Sequence, residues 1–338
     1  MRHSGVLITG AAGEIGHALV HRIHERGIPI VTLDLKPLHP EIAAVADRTY
    51  TGSINDKQLL DTILAEFKVT MVFHLAALLS TRSEFTPVVA HDVNVVGTLN
   101  MLEFAQAQAR SHGEPVTFFY PSSIAAYGLP DADTKTKAGD VGEDDWNTPT
   151  TMYGCNKLAC EHLGRYYAKH YKQLDAAAAT GSVDFRALRF PGLISAFTTP
   201  SGGTSDYAPE MLHAAAKGVA YDCFARPDAR IPFMTMPDAV DATLKLVDAP
   251  ADSLTRQVYN LQAFNPSAEE IRAIVLESFP EAEIGFGVDP KRMAILDSWP
   301  AGCDDSAARR DWGFEPVHGL DRAFDEYLVP NIRKAYER

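Results

Sequence analysis

The chain has 338 residues, 46% of them hydrophobic and 22% charged, with a formal net charge of −13. That length suits one large domain or two intertwined ones, and the composition excludes a disordered or membrane-embedded chain. The acidic balance argues against nucleic acid or an anionic membrane as the main partner. No uninterrupted apolar stretch is long enough to span a bilayer, and the N-terminus enters a strand too early for a signal peptide. Cys155, Cys160, Cys223 and Cys303 show no metal-like or redox-pair spacing, so free thiols in a reducing, cytoplasmic setting are expected.

In chain order, Val6–Thr9 reads as a buried strand, and Gly10-Ala11-Ala12-Gly13-Glu14-Ile15-Gly16 then opens a helix running to about Arg26. Gly10 permits a tight turn, Gly13 a close approach of pyrophosphate, and Gly16 close packing of the helix on the sheet. Glu14 and Ile15 lie where that helix would offer its first amides to phosphate. The next strand, Ile28–Asp34, ends in a carboxylate that can accept from both ribose hydroxyls and would repel a 2′-phosphate. A dinucleotide site for NAD rather than NADP follows, with Ser53 and Ile54 as further candidate contacts.

Thr70–Leu75 reads as a strand, followed by Ala76 and Ala77, small residues beside which a cofactor could lie. A helical stretch from about Phe85 to Ala109 contains Asn94. Val116–Tyr120 is the next strand, with Ser122 and Ser123 just beyond its end, at the edge where open parallel sheets bind ligands. Asp131–Thr150, rich in Asp, Thr and Gly, is expected to be a long surface loop leading into a helix from Tyr153 towards Tyr171. Gln173–Ser182 reads as an insertion, and Val183–Phe190 returns to the sheet. Later helices are expected near Ala208–Ala216, Asp238–Val247, Ala268–Ser278 and Leu320–Tyr336, with a strand near Val258–Leu261. The alternation predicts an α/β fold: a doubly wound parallel Rossmann sheet with a smaller C-terminal substrate-binding lobe. Residues 1–190 form the NAD-binding part, with later returns to it. Residues 191–338 form the interleaved substrate lobe.

Tyr153 and Lys157 are about one helical turn apart, so phenol and ammonium share a face. A phenol titrates near ~10, too high for a base at neutral pH, and a neighbouring cation lowers that value. With a serine hydroxyl to hold the substrate oxygen, the set suits proton removal from an alcohol.

The combination of Gly10/Gly13/Gly16, Asp34, Asn94, Pro121-Ser122-Ser123, Tyr153/Lys157 and Arg189-Phe190-Pro191-Gly192 resembles the extended short-chain dehydrogenase/reductase superfamily over essentially the whole chain. The resemblance implies that Tyr153 is the general acid/base and that Lys157 lowers its pKa and holds the nicotinamide ribose. It also implies that Ser123 binds the reacting oxygen and that Asn94 steadies the active-site helix. Ser122, one residue off, is read as structural. A narrower resemblance, to the short-chain type of L-threonine 3-dehydrogenase, rests on four segments. These are Leu75-Ala76-Ala77-Leu78-Leu79-Ser80, Pro191–Ser195, Gly202–Tyr207 and Asp297-Ser298-Trp299-Pro300, with Asp304–Gly313 similarly distinctive. It implies NAD-dependent oxidation of the threonine β-hydroxyl to 2-amino-3-ketobutyrate. Ser80 and Thr204 would touch the amino acid end of the substrate, and Trp299 would help close the site. The acidic loop before Tyr153 and the insertion after Tyr171 depart from that pattern.

Several features carry a plainer alternative. Thr204 and Ser205 could cap a helix, and Ser80 could be a turn former. His17, His21 and His24 share a helix face opposite Ile15, Leu19 and Ile23, which suits a solvated surface better than a metal site. His74 is expected to be a core histidine bonded to backbone, Glu143, Asp144 and Asp145 solvated, Tyr127 a packing residue, and Asp304 and Asp305 helix caps. Three other functions stay open. A nucleotide-sugar epimerase or dehydratase would need cationic groups for a diphosphate, with Arg226, Arg230 and Arg256 as candidates. A dehydrogenase of another β-hydroxy amino acid would need only a reshaped pocket, whereas an NAD-sensing binding protein need not keep Tyr153 and Lys157. The superfamily resemblance further implies a homodimer paired through the Phe85–Ala109 and Tyr153–Tyr171 helices.

Overall fold

A computed structural model describes residues 3–175, 182–200 and 202–337. Most of the expected insertion after Tyr171 (176–181) and Ser201 of the glycine-rich turn lie outside the described residues. Seven strands build the central sheet: β1 His3–Thr9, β2 Ile30–Asp34, β3 Arg48–Thr51, β4 Phe67–His74, β5 Val116–Ser123, β6 Val183–Phe190 and β7 Val258–Asn260. Their order is β7-β6-β5-β4-β1-β2-β3. β1 pairs in parallel with β2 (Val6 opposite Ile30) and with β4 (Val6 opposite Met71). The chain therefore runs outward from β1 to β3 and returns on the other side of β1. This reversal leaves a crevice beyond the carboxyl ends of β1 and β4, the ligand position of open parallel sheets.

Two compact units are distinguished along the chain. The first comprises Met1–Ser122, Asn156–Leu188 and Thr243–Val258. Its core sets Leu7, Val31, Val72, Phe118 and Phe185 of the strands against Leu102, Ala105, Cys160 and Tyr167 of the covering helices. The Glu14–Glu25 helix buries Gly16, Leu19, Val20 and Ile23, the period of a helix with one apolar face. The Met152–Lys169 helix lies so close to the sheet that a Cβ at Gly164 would be 2.2 Å from the Phe185 ring. The second unit comprises Ser123–Cys155, Arg189–Ala242 and Tyr259–Arg338, with Tyr207, Phe224, Phe233, Phe264, Trp299 and Phe324 in its core. The Ala268–Ser278 helix falls where the sequence predicts, started by a Ser267/Glu270 capping box.

The helical stretch expected from about Phe85 to Ala109 runs continuously from Pro87 to His112, with a π turn at Asp92–Val96, and a separate short helix, Ser80–Phe85, precedes it. Two expectations are corrected. β5 extends through Ser123, so the two serines end the strand instead of following it. The segment Asp131–Thr150 is not merely a surface loop. It holds a helix, Ala132–Ala138, whose N-cap Asp131 accepts from Thr134 N, and a short strand, Asp140–Val141, paired with Gly302–Cys303. Local polarity suggested solvent there, but long-range partners in the second unit order it. Among the described residues, no helix is long and apolar enough to cross a membrane.

Candidate active site

The first unit gathers the predicted nucleotide contacts at the crevice. Gly10 has φ +70°, and a Cβ there would lie 2.6 Å from the Ala76 amide nitrogen, so both its conformation and its surroundings require glycine. At Gly16 a Cβ would be 2.7 Å from the Gly10 carbonyl oxygen, so what this glycine allows is the close approach of the helix start to its own loop. At Gly13 the nearest atom would be Gly10 O at 3.2 Å, and the outer side of the loop stays open. Asp34 clamps this loop: one carboxylate oxygen accepts from Ala12 N and the other from Lys36 N, each at 2.9 Å. Both oxygens keep further acceptor capacity. Glu14 opens the helix with a buried Oε1 that has no hydrogen-bond partner among the described residues, and Ile15 beside it is half-buried. Ser53 Oγ accepts from Asn55 N, and Ile54 is buried where a Cβ at Gly97 would strike it at 2.4 Å.

Leu75, Ala76 and Ala77 follow β4 as a half-buried segment held by a directional relay. Ala76 N–H donates to Thr9 Oγ1 (3.3 Å), and Thr9 Oγ1 lies 2.8 Å from His74 Nδ1. His74 Nε2 lies 3.0 Å from Thr98 Oγ1, which itself donates to Asn94 O at 2.6 Å. Because Thr98 spends its proton on Asn94, His74 donates from Nε2 and accepts at Nδ1. Burial holds this imidazole neutral, lowering its pKa to about 3. His74 is therefore a core histidine as expected, but its partners are two threonine hydroxyls and not backbone. The Asn94 side chain accepts from Leu78 N and donates to Leu78 O, tying the π turn to the same segment. These residues fit a dinucleotide: a loop bare of side chains, the amide end of a twelve-residue helix, and a carboxylate at the end of β2.

Tyr153 and Lys157 lie one turn apart on the Met152–Lys169 helix. Lys157 is 3% exposed; its Nζ donates to Pro121 O at 2.5 Å and sits 4.7 Å from the centre of the Tyr120 ring. Desolvation pulls its pKa down to about 8. Burial pushes the Tyr153 phenol above its ordinary value.

In the second unit, Ser123 ends β5 and its hydroxyl accepts from Ala125 N, starting a short 3-10 turn. A Cβ at Gly154 would lie 2.0 Å from the Ala125 carbonyl oxygen, so the first turn of the Tyr153 helix presses directly on the Ser123 turn. Thr204 is buried, but the N-cap of the following helix is Asp206, whose carboxylate accepts from Gly203 N at 2.7 Å. Arg292 donates to Gly203 O at 2.8 Å from the Pro290–Ser298 helix, whose C-cap is Trp299. Trp299 is 5% exposed, with an indole N–H that has no hydrogen-bond partner among the described residues. Ser80 opens the Ser80–Phe85 helix in the first unit, half-buried.

Sequence reasoning missed the supports of the Trp299 segment. Lys135 is 5% exposed and donates to Leu296 O at 2.7 Å, while Arg226 holds Asp297 through two hydrogen bonds of 2.7 and 2.9 Å. Leu129 N donates to Ser298 O. No motif marks these contacts, because partners more than seventy residues away define them. Glu143 is buried, contrary to expectation: Oε1 accepts from Asn260 N and its carbonyl from Arg189, whereas Asp144 and Asp145 are exposed. Tyr127 is a packing residue, fully buried with its hydroxyl on Asn260 Oδ1. Asp304 accepts from Ser306 N and Asp305 pairs with Arg309. His17 and His24 are exposed, and no group of metal-ligating side chains occurs among the described residues.

This crevice and its residues are those of an NAD-dependent Rossmann enzyme. The chain belongs to the NAD dependent epimerase/dehydratase family, whose pattern matches residues 6–261, and is an NAD-dependent oxidoreductase of the extended short-chain dehydrogenase/reductase type. It is 37% identical over 317 residues to the mitochondrial L-threonine 3-dehydrogenase of Bos taurus, covering 94% of this chain and 79% of that one. Among solved structures, the holo form of the GalE-like L-threonine dehydrogenase from Cupriavidus necator superposes with a TM-score of 0.84 at 35% identity, over 98% of this chain and 100% of that one. A monomeric L-threonine 3-dehydrogenase from a metagenome database, in its apo form, gives 0.84 at 34% identity, with the same coverages.

Proposed function

We propose that this enzyme oxidises the β-hydroxyl of L-threonine, giving 2-amino-3-ketobutyrate, with the electrons leaving as NADH and one proton released. The observation that carries the reading is the Tyr153/Lys157 pair on a helix whose first turn presses on the Ser123 turn. The threonine dehydrogenases among the relatives support the choice of substrate. NAD, when bound, supplies the hydride acceptor. Tyr153 Oη takes the proton from the substrate hydroxyl, and Ser123 Oγ donates a hydrogen bond to the same oxygen as it becomes a carbonyl. Because burial raises the Tyr153 pKa, a phenolate needs an opposing cation, and Lys157 is assigned that role together with the nicotinamide ribose. Asp34 takes the adenosine ribose hydroxyls, while Gly10, Gly13, Glu14, Ile15 and Gly16 take the pyrophosphate. Ser53, Ile54, Leu75, Ala76, Ala77 and Asn94 flank the nucleotide. Ser80 and Thr204 receive the amino acid end of the substrate, and the unpartnered indole N–H of Trp299 offers a donor to its carboxylate.

Of the three candidate arginines for a nucleotide-sugar diphosphate, Arg226 pairs with Asp297 and Arg230 with Glu270. This favours the amino acid over the sugar nucleotide. The deciding assay follows NADH absorbance with L-threonine beside L-serine, L-allo-threonine and UDP-sugars. A threonine-dependent rise is expected. Interconversion of a UDP-sugar without net reduction would replace this reading with an epimerase. Tyr153→Phe should lose at least a thousandfold in kcat while still binding NADH. Near-normal turnover would remove Tyr153 from its role.

A further inference from the structure

Two polar groups beside Lys157 have no part in this scheme. Ser122 and Glu161 are each 2% exposed. Glu161 stands one turn beyond Lys157 on the same helix, so its carboxylate shares the lysine's face. The Ser122 hydroxyl donates to Glu161 Oε1 at 2.5 Å, and the Lys157 ammonium donates to the carbonyl of the preceding residue, Pro121, also at 2.5 Å. The end of β5 is thus held at two successive residues by two successive turns of one helix. Ser122, read from the sequence as structural, is the joint of this arrangement.

The groups that face Lys157 can be taken element by element. From β4 comes His74, kept neutral by burial and engaged at both ring nitrogens by Thr9 and Thr98. From β5 comes the face of the Tyr120 ring. The lysine's own helix brings the Cys160 thiol, whose pKa burial raises, and Glu161. Among these, Glu161 is the one carboxylate. A carbonyl and an aromatic face supply no full counter-charge, and a buried ammonium loses its proton unless one lies near.

We propose that Glu161 is a positioning residue, the buried counter-charge that keeps Lys157 an ammonium and, through Ser122, fixes the strand end leading into Ser123. The inference rests on Lys157 holding the nicotinamide ribose. Burial drives the lysine towards its neutral form, and Cys160 and Glu161 oppose it; burial keeps the Cys160 thiol protonated, so Glu161 is the one of the two that brings a full charge.

The test titrates NADH binding by fluorescence from pH 6 to 9.5 in the wild type, Glu161→Gln, Ser122→Ala and Lys157→Met. The wild type should lose affinity as Lys157 deprotonates on the alkaline side. In Glu161→Gln that loss should begin roughly one pH unit lower, the size of effect a neighbouring charge produces. Affinity near pH 6 should stay within a few-fold of the wild type. Ser122→Ala, which leaves the carboxylate less well stabilised, should move the limb the same way by less. It also decides the matter if Glu161→Gln does not fold. A uniform loss at every pH with the limb unmoved would mean a purely structural role and overturn the proposal. If Lys157→Met kept the alkaline loss, the ammonium would not be its origin and the proposal would fall too. The titration uses NADH alone. A failure of L-threonine as substrate would therefore sink the proposed reaction without disturbing this result.

Discussion

At the scale of single residues, the site depends on atoms whose partners are few and specific. Asp34 holds the Ala12 amide and, in the function proposed above, also receives the adenosine ribose hydroxyls. Asp34→Asn should reduce the preference for NAD over NADP at least tenfold in kcat/KM, because the repulsion of a 2′-phosphate goes with the charge. Unchanged selectivity would remove Asp34 from that role. His74 gives a pH signature. Its folded pKa of about 3 lies below the ordinary value of 6.5, so under pH 6.5 the unfolded chain takes a proton that the folded one refuses. The stability it permits is complete above pH 6.5 and is lost as pH falls towards 3, at up to about 1.4 kcal/mol per pH unit. Denaturant titrations between pH 7 and 4 should show a flatter decline for His74→Gln, and an identical slope would contradict the neutral-imidazole relay.

At the scale of elements, helix ends do much of the positioning. The Pro290–Ser298 helix is held near its start by Arg292 on Gly203 O and near its finish by Lys135 on Leu296 O. Lys135→Met keeps the aliphatic length and removes the bond to the helix end. It should cost about 1–3 kcal/mol of unfolding free energy. If the Trp299 segment binds substrate as proposed, it should also raise the KM for L-threonine more than it lowers kcat. A loss of stability with KM unchanged would confine Lys135 to folding. The Met152–Lys169 helix is set by Gly164, where no side chain fits against Phe185. Gly164→Val should lower Tm by several degrees, because overpacking costs about 1–3 kcal/mol.

At the scale of the molecule, a bound dinucleotide should stabilise the fold. NAD at a hundred times its Kd should add about 2.7 kcal/mol, read as a rise in Tm in a thermal-shift assay. No rise at any NAD concentration would contradict the cofactor. Homodimerisation through the helices from Phe85 and Tyr153 is our proposal, supported by the exposed apolar side chains of Phe85, Val88, Val89 and Tyr166. Light scattering should give twice the 36.9 kDa chain mass, and Val88→Asp should reduce it to one. A wild-type monomer, as in the metagenomic relative, would retire this surface as an interface.

What the sequence by itself determined was everything written in local periodicity: the strand, glycine turn and helix at residues 6–26, the carboxylate ending β2, and the one-turn spacing of Tyr153 and Lys157. These were legible because backbone geometry alone converts spacing into position. It did not reveal that Glu143 is buried, that Asp131–Thr150 carries a helix and a strand, or that Ser122 joins Glu161. Polar residues in a stretch without periodicity look solvated until a distant partner is known. Those partners, Asn260 for Glu143, Leu296 for Lys135 and Glu161 for Ser122, are brought together only by the tertiary fold. A buried polar group is tolerated only where such a partner meets it, so the tertiary structure alone decided which charges lie inside.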